Sequence, residues 1–149
     1  MDERIVVGVD GSESSRGALR WAARQAKLTG ASLEVVIAWE VPPVYHWSSS
    51  SPSGLRVGAE SILQEAVTDV LGDDPDVNVI PAVVEGHPVP VLLNAANGAS
   101  LLVLGSRGHS TFSGILLGSV SGHCVIHATC PVTVVREGVQ QDGGDPILR

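Results

Sequence analysis

The chain has 149 residues and a formal charge of −7, nine Lys and Arg against sixteen Asp and Glu, with 44% hydrophobic residues, 17 Gly and 2 Cys. Such a length suits one domain that buries roughly two thirds of its unfolded surface, which excludes disulfide-stapled, collagen-like and disordered classes. The acid excess and an aromatic share of 3% argue against nucleic-acid binding, which draws on basic side chains and stacking platforms.

The first element is Arg4-Ile5-Val6-Val7-Gly8-Val9, an apolar run of strand length that ends at Asp10-Gly11-Ser12. A helix follows. Ser12 to Ser15 offer capping oxygens, Leu19, Ala22, Ala23 and Ala26 recur at helical spacing, and Gly30 fits the stop position. Arg16, Arg20 and Arg24 form a stripe read as a solvated face. Ser32-Leu33-Glu34-Val35-Val36-Ile37-Ala38-Trp39 is the second strand.

Residues 40–54, with Pro42, Pro43, Pro52 and four serines from Ser48 to Ser51, are too long for an ordinary connection and form either a mobile flap or a functional loop. Trp39 and Trp47 flank it, placed either to cap an adenine or to pack on the second helix. That helix is marked by Ala59, Ile62, Leu63, Ala66, Val67, Val70 and Leu71, and Gly72-Asp73-Asp74-Pro75 ends it. Residues 77–84 read as the third strand, and Pro81 assigns it to a sheet edge or a bulge.

Pro88 opens a short helix running to about Asn97. Leu101-Leu102-Val103-Leu104 is a continuously apolar, central strand; a glycine-rich segment from Gly105 to Gly118 leads to a helix near Ser119 to Ala128; Pro131-Val132-Thr133-Val134-Val135 is the fifth strand. Residues 1–137 are read as one α/β domain and residues 138–149 as a flexible tail. The alternation predicts an open five-stranded parallel sheet with helices on both faces, Rossmann-like, with its ligand site beyond the carboxyl ends of strands 1 and 4. No apolar run approaches the ~18 residues of a membrane span, and Met1-Asp2-Glu3-Arg4 carries no signal-peptide pattern, so a cytoplasmic location is expected.

Chemistry concentrates in the loop after the fourth strand. Gly105 and Gly108 let backbone N–H groups approach an anion, and Gly118-Ser119 stands at a helix start, where unpaired N–H groups and the dipole favour negative charge. Ser110, Thr111, Ser119 and Ser121 add hydroxyls, and Arg107 is the nearby cation. The same spacing equally serves a plain turn between strand and helix. Lys27 is the only lysine, so no Walker A loop can be written and a phosphate must be held without a lysine clamp.

Gly105-x2-Gly108-x9-Gly118-Ser119 matches a G-x2-G-x9-G-[ST] signature, and with Val7-Gly8-Val9-Asp10-Gly11-Ser12 and Cys130-Pro131-Val132 the sequence resembles the ATP-binding universal stress proteins over roughly residues 3–137. The resemblance implies an adenine nucleotide alpha hydrolase-like fold and ATP with Mg²⁺ as ligands. It places the backbone of Gly8 and Val9 by the ribose, Asp10 at the ribose, the α-phosphate or the metal, and the main chain of Ala38 at the adenine edge. Gly105, Arg107 and Gly108 line ribose and phosphates, and Gly118, Ser119 and Val120 hold the outer phosphates. By itself, Asp10 reads equally as a cap for the first helix. Two positions depart from the family pattern. Ser100 stands where Asp is frequent, which implies an altered turn, and Thr111 stiffens the loop.

Three functions follow: a stress-response protein that works by binding ATP with slow or no hydrolysis, an interaction module with a vacant site, or an enzyme cleaving at the α-phosphate. Ser119 and Ser121 are candidates for slow self-phosphorylation. The apolar edge Val132-Thr133-Val134-Val135-Arg136 predicts a homodimer through strand 5, as the family also implies; a downstream protein is the further partner expected. His123 and His127, four apart around Cys124, lack a third ligand for zinc, and Cys124 and Cys130 read as buried thiols.

Overall fold

Capping chemistry sets the ends of the first helix, α1 (Glu13–Thr29). Ser12 Oγ accepts from Ser15 N at 3.2 Å, and Gly30, at φ 77° where a side chain would strain, donates its N–H to Ala26 O at 2.9 Å. The remaining elements of the computed structural model are β1 (Arg4–Gly8), β2 (Ser32–Trp39), α2 (Ser53–Leu71), β3 (Val79–Glu85), α3 (Pro88–Ala96), β4 (Leu101–Gly105), α4 (Ser119–His127) and β5 (Val132–Val135). The structure describes residues 3–43, 52–73, 76–107 and 117–136. The long loop's Trp47 and four serines, Gly108, Ser110, Thr111 and the tail 138–149 lie outside the described residues.

All five strands are parallel, in the order β3-β2-β1-β4-β5. The chain steps outward from β1 to β3, then returns to the far side of β1 for β4 and β5. With right-handed crossovers, that reversal puts α1 and α2 on one face and α3 and α4 on the other. The strand period of two sorts the core accordingly. Val7, Leu33, Val35 and Val103 pack with Leu19, Ala22 and Leu63 under α1 and α2, while Val6, Val36, Leu102 and Leu104 pack with Leu92 and Cys124 under α3 and α4. The open parallel α/β sheet predicted from the alternation is therefore the fold.

Pro81 lies on β3, a true edge strand that pairs only with β2, where its missing N–H costs no ladder bond. That strand begins at Val79, two residues later than the hydropathy pattern indicates. At the amino end of the sheet, Arg4 bridges several elements. Its Nη1 meets Glu34 Oε2 at 3.0 Å and Ala95 O at 2.6 Å, and its Nη2 donates to Asn97 O at 3.1 Å, which ties down the end of α3. Ser100 shapes the turn into β4 by donating both N–H and Oγ–H to Arg4 O, each at 2.9 Å.

The arginine stripe is not uniformly solvated. Arg16 Nη1 donates to Asp69 Oδ2 on α2 at 2.6 Å, and that hydrogen bond to the carboxylate raises the guanidinium pKa further. Sequence periodicity within α1 carries no information about α2, which is why the pair is invisible there. Arg20 is exposed, as expected.

Candidate functional site

β1 and β4 are neighbours, and strand order reverses between them, so their carboxyl ends frame the crevice where open α/β sheets bind ligands. At the end of β1, Val9 N is spent on Val36 O at 2.9 Å. Asp10 follows on the exposed rim. Its Oδ1 accepts from Ser12 N at 2.9 Å and from Ser12 Oγ at 2.5 Å, while Asp10 N donates to Ser15 Oγ at 3.3 Å. Asp10 therefore closes the turn before α1, and Ser12 is the residue that caps the helix.

At the end of β4, the backbone of residues 105–107 is bonded by the protein itself. Gly105 O accepts from Ser121 Oγ at 2.5 Å, and Ser106 N donates to Val135 O at 3.0 Å. Ser106 O accepts from Gly118 N at 2.6 Å, and Arg107 N donates to Ser14 Oγ at 3.2 Å. Ser14, Ser15, Ser106 and Ser121 are the only buried polar residues among those described, and all four meet at this end of the sheet. Buried hydroxyls need partners, and those of Ser14, Ser15 and Ser121 bind the ends of β1 and β4 to the first turns of α1 and α4.

The two site glycines serve close packing. A Cβ on Gly105 would stand 2.7 Å from Ser14 O, and one on Gly8 would stand 2.9 Å from Leu92 Cδ2. Gly105 lets α1 approach β4, and Gly8 lets α3 approach β1.

This bonding revises the expected cradle. The amides of Ser106, Arg107 and Gly118 are engaged within the protein, so those three do not offer N–H groups to an anion. Among the described residues the first-turn amides of Ser119, Val120 and Ser121 remain; the first intrahelical bond, Gly122 N to Gly118 O at 2.9 Å, forms only beyond them. Ser119 is exposed and Val120 half-buried. Ser121 is buried with its hydroxyl given to Gly105 O, which removes it as a phosphoryl acceptor and leaves Ser119 as the accessible serine of the two.

The fold thus gathers Gly8, Val9 and Asp10 at the end of β1, Gly105 and Arg107 at the end of β4, and Gly118, Ser119 and Val120 at the start of α4, along the carboxyl edge of the sheet. Ala38 is half-buried at the same edge, one strand over on β2. Ser14 had no sequence signal beyond being one of three serines able to cap the helix, because its partner Arg107 lies 93 residues away. The only lysine sits in the last turn of α1, paired with Asp76 at 3.0 Å, towards the opposite end of the sheet.

Other candidates stand at the margin of this site or away from it. His123 is exposed, with Nδ1 at 2.7 Å from Ser119 O, and His127 is exposed at the end of α4. Among the described residues, no group of three or more His, Cys, Asp or Glu converges as a metal site. Both cysteines are free thiols, and burial pushes the pKa of each upward. Trp39 packs against the core under α1 and α2.

The family model described as the Universal stress protein family matches residues 1–136. The chain belongs to the universal stress protein family. Universal stress protein Rv1996 of Mycobacterium tuberculosis is 34% identical over 153 residues, an alignment that takes in 89% of this chain and 48% of that protein. The chain thus spans about half the length of the curated universal stress proteins it matches. The solved universal stress protein UspA from Lactobacillus plantarum shares the fold, with a TM-score of 0.77 at 22% identity over 90% of this chain and 97% of the other. A universal stress protein crystallised in complex with cAMP superposes with a TM-score of 0.67 at 29% identity, over 89% and 96% of the two chains.

Proposed function

We propose that this universal stress protein binds an adenine nucleotide across the carboxyl ends of β1 and β4 and acts in the cytoplasmic stress response through that binding, with ATP and Mg²⁺ as ligands. The observation that carries the reading is the first turn of α4. Its amides at Ser119, Val120 and Ser121 have no carbonyl within the helix, and the turn is hung on β4 through Gly118 N and Ser121 Oγ. A helix start at a topological switch point turns unpaired N–H groups and a positive dipole end towards an anion, which supports the reading. The cAMP complex of a relative that is 29% identical supports the ligand class.

Asp10, Gly8 and Val9 then meet the ribose side, Ala38 the adenine, Gly105, Arg107 and Gly108 the ribose and phosphates. Mg²⁺ fits this donor set: it keeps several waters and commonly takes one carboxylate plus phosphate oxygens, and exposed Asp10 is the carboxylate at the rim. When bound, it would offset phosphate charge beside Asp10. Hydrolysis is slow or absent, because the lysine lies at the far end of α1 and cannot clamp a phosphate at this loop. The β5 edge, with Val125 and Ile126 exposed on the preceding helix, supports a two-fold dimer.

Calorimetry with Mg-ATP, AMP and cAMP tests the reading, and no heat at millimolar nucleotide removes it. Engagement of the Ser106, Arg107 and Gly118 amides within the protein favours a second reading, a docking module with a vacant site. Gly118→Glu separates the two: the added carboxylate abolishes nucleotide binding and leaves a remote docking surface intact.

A further inference from the structure

Residues 105–107 pass between two buried serines, each from the first turn of a different helix. Ser14, the second residue of α1, is 6% exposed and turns its Oγ away from its own helix to accept Arg107 N at 3.2 Å. Ser121, the third residue of α4, is 5% exposed and donates its Oγ–H to Gly105 O at 2.5 Å. Neither serine caps its own helix, since Ser12 caps α1 and Gly118 stands at the cap position of α4. Both hydroxyls are thus spent on one three-residue stretch of β4 and its exit.

We propose that Ser14 and Ser121 act as a paired clamp that positions Arg107 and the first turn of α4, and so decides whether the site distinguishes a phosphorylated ligand from a bare nucleoside. The proposal rests on the nucleotide reading above. Ser121 fixes the pitch of the α4 start against β4, and the Gly118 N bond to Ser106 O acts as its hinge. Ser14 fixes the point from which the Arg107 side chain departs. Orientation of amides towards an anion is steeply geometric, so loosening either strut weakens phosphate contacts first. The adenine side and the β1 part of the ribose side, built from β1 and β2, contain neither serine.

Ser14→Ala and Ser121→Ala are compared with the unaltered protein for affinity towards Mg-ATP and adenosine, alongside amide hydrogen exchange at Arg107. Each variant should weaken ATP about tenfold, the loss typical of one buried hydrogen bond. Adenosine affinity should fall less, by no more than about threefold, because only its ribose contacts at Gly105 and Arg107 run through the clamp. Exchange at Arg107 should accelerate at least about tenfold in Ser14→Ala. Unchanged ATP affinity, equal weakening of ATP and adenosine, or unchanged Arg107 exchange overturns the proposal while the nucleotide reading stands. An unaltered protein that binds neither ligand ends the reading and the proposal together, so the two failures are told apart.

Discussion

Ser14 occupies the space that a side chain on Gly105 would need. A Cβ there would lie 2.7 Å from Ser14 O and 2.8 Å from Ser14 C, both backbone atoms of α1 that cannot swing aside. On Gly8 the nearest neighbour is instead the end of the Leu92 side chain, at 2.9 Å. Gly105→Ala should therefore cost about 2–3 kcal/mol and Gly8→Ala about 1 kcal/mol, the upper and lower parts of the range for overpacking. Urea unfolding of the two variants checks the order; equal losses would show that α1 shifts as easily as a leucine rotates.

The Arg16–Asp69 pair joins α1 to α2 at 2.6 Å, with the aspartate side chain 58% exposed. Exposed pairs are weak and screened by salt. Arg16→Ala should lower stability slightly at low ionic strength and less at 1 M salt, by the same amount as Asp69→Ala, and the double variant should add nothing further. A coupling in the double-mutant cycle that salt leaves unchanged would show packing, not charge, at this contact.

Burial raises the thiol pKa of Cys124 and Cys130 above the ordinary 9.0. Below that pH, folded and unfolded thiols are both protonated and contribute no slope. Above it the unfolded thiols ionise first, so the unfolded state gains and stability falls as pH rises towards the folded values. Urea midpoints measured from pH 7 to 10.5 should decline beyond about pH 9, and Cys124→Ala should flatten that decline. An identical slope in the variant would assign the alkaline loss to other groups.

Ile126 is 75% exposed on α4, the helix that leads into the edge strand β5. If this face is covered in a dimer, Ile126→Arg should convert dimer to monomer in light scattering at micromolar concentration. The stability of the monomer should stay within about 0.5 kcal/mol, as for other surface changes. A particle of single-chain mass before substitution would rule the dimer out.

Most of the fold was legible in residue order. The apolar run Ser32–Trp39, the serines before α1, Gly30 after it, and Pro81 in an edge strand are local patterns, each read within a few residues of where it acts. Alternation of strands and helices, with one hand for every crossover, then places the ends of β1 and β4 side by side. That is why Gly8, Asp10, Gly105 and Ser119 could be assigned to one edge before any coordinate was known.

What the chain order could not carry is the use to which those residues are put. Gly105 is required by the backbone of Ser14, the amides of Ser106, Arg107 and Gly118 are bonded internally, and Ser121 is a strut inside the fold. Each of these depends on a partner 12 to 93 residues away. Sequence alone determined which loops would meet at the ends of β1 and β4, because periodicity and turn residues act locally. Only tertiary packing decided which hydrogen-bond donors are left to meet a ligand, because a donor's availability depends on every group that folds against it.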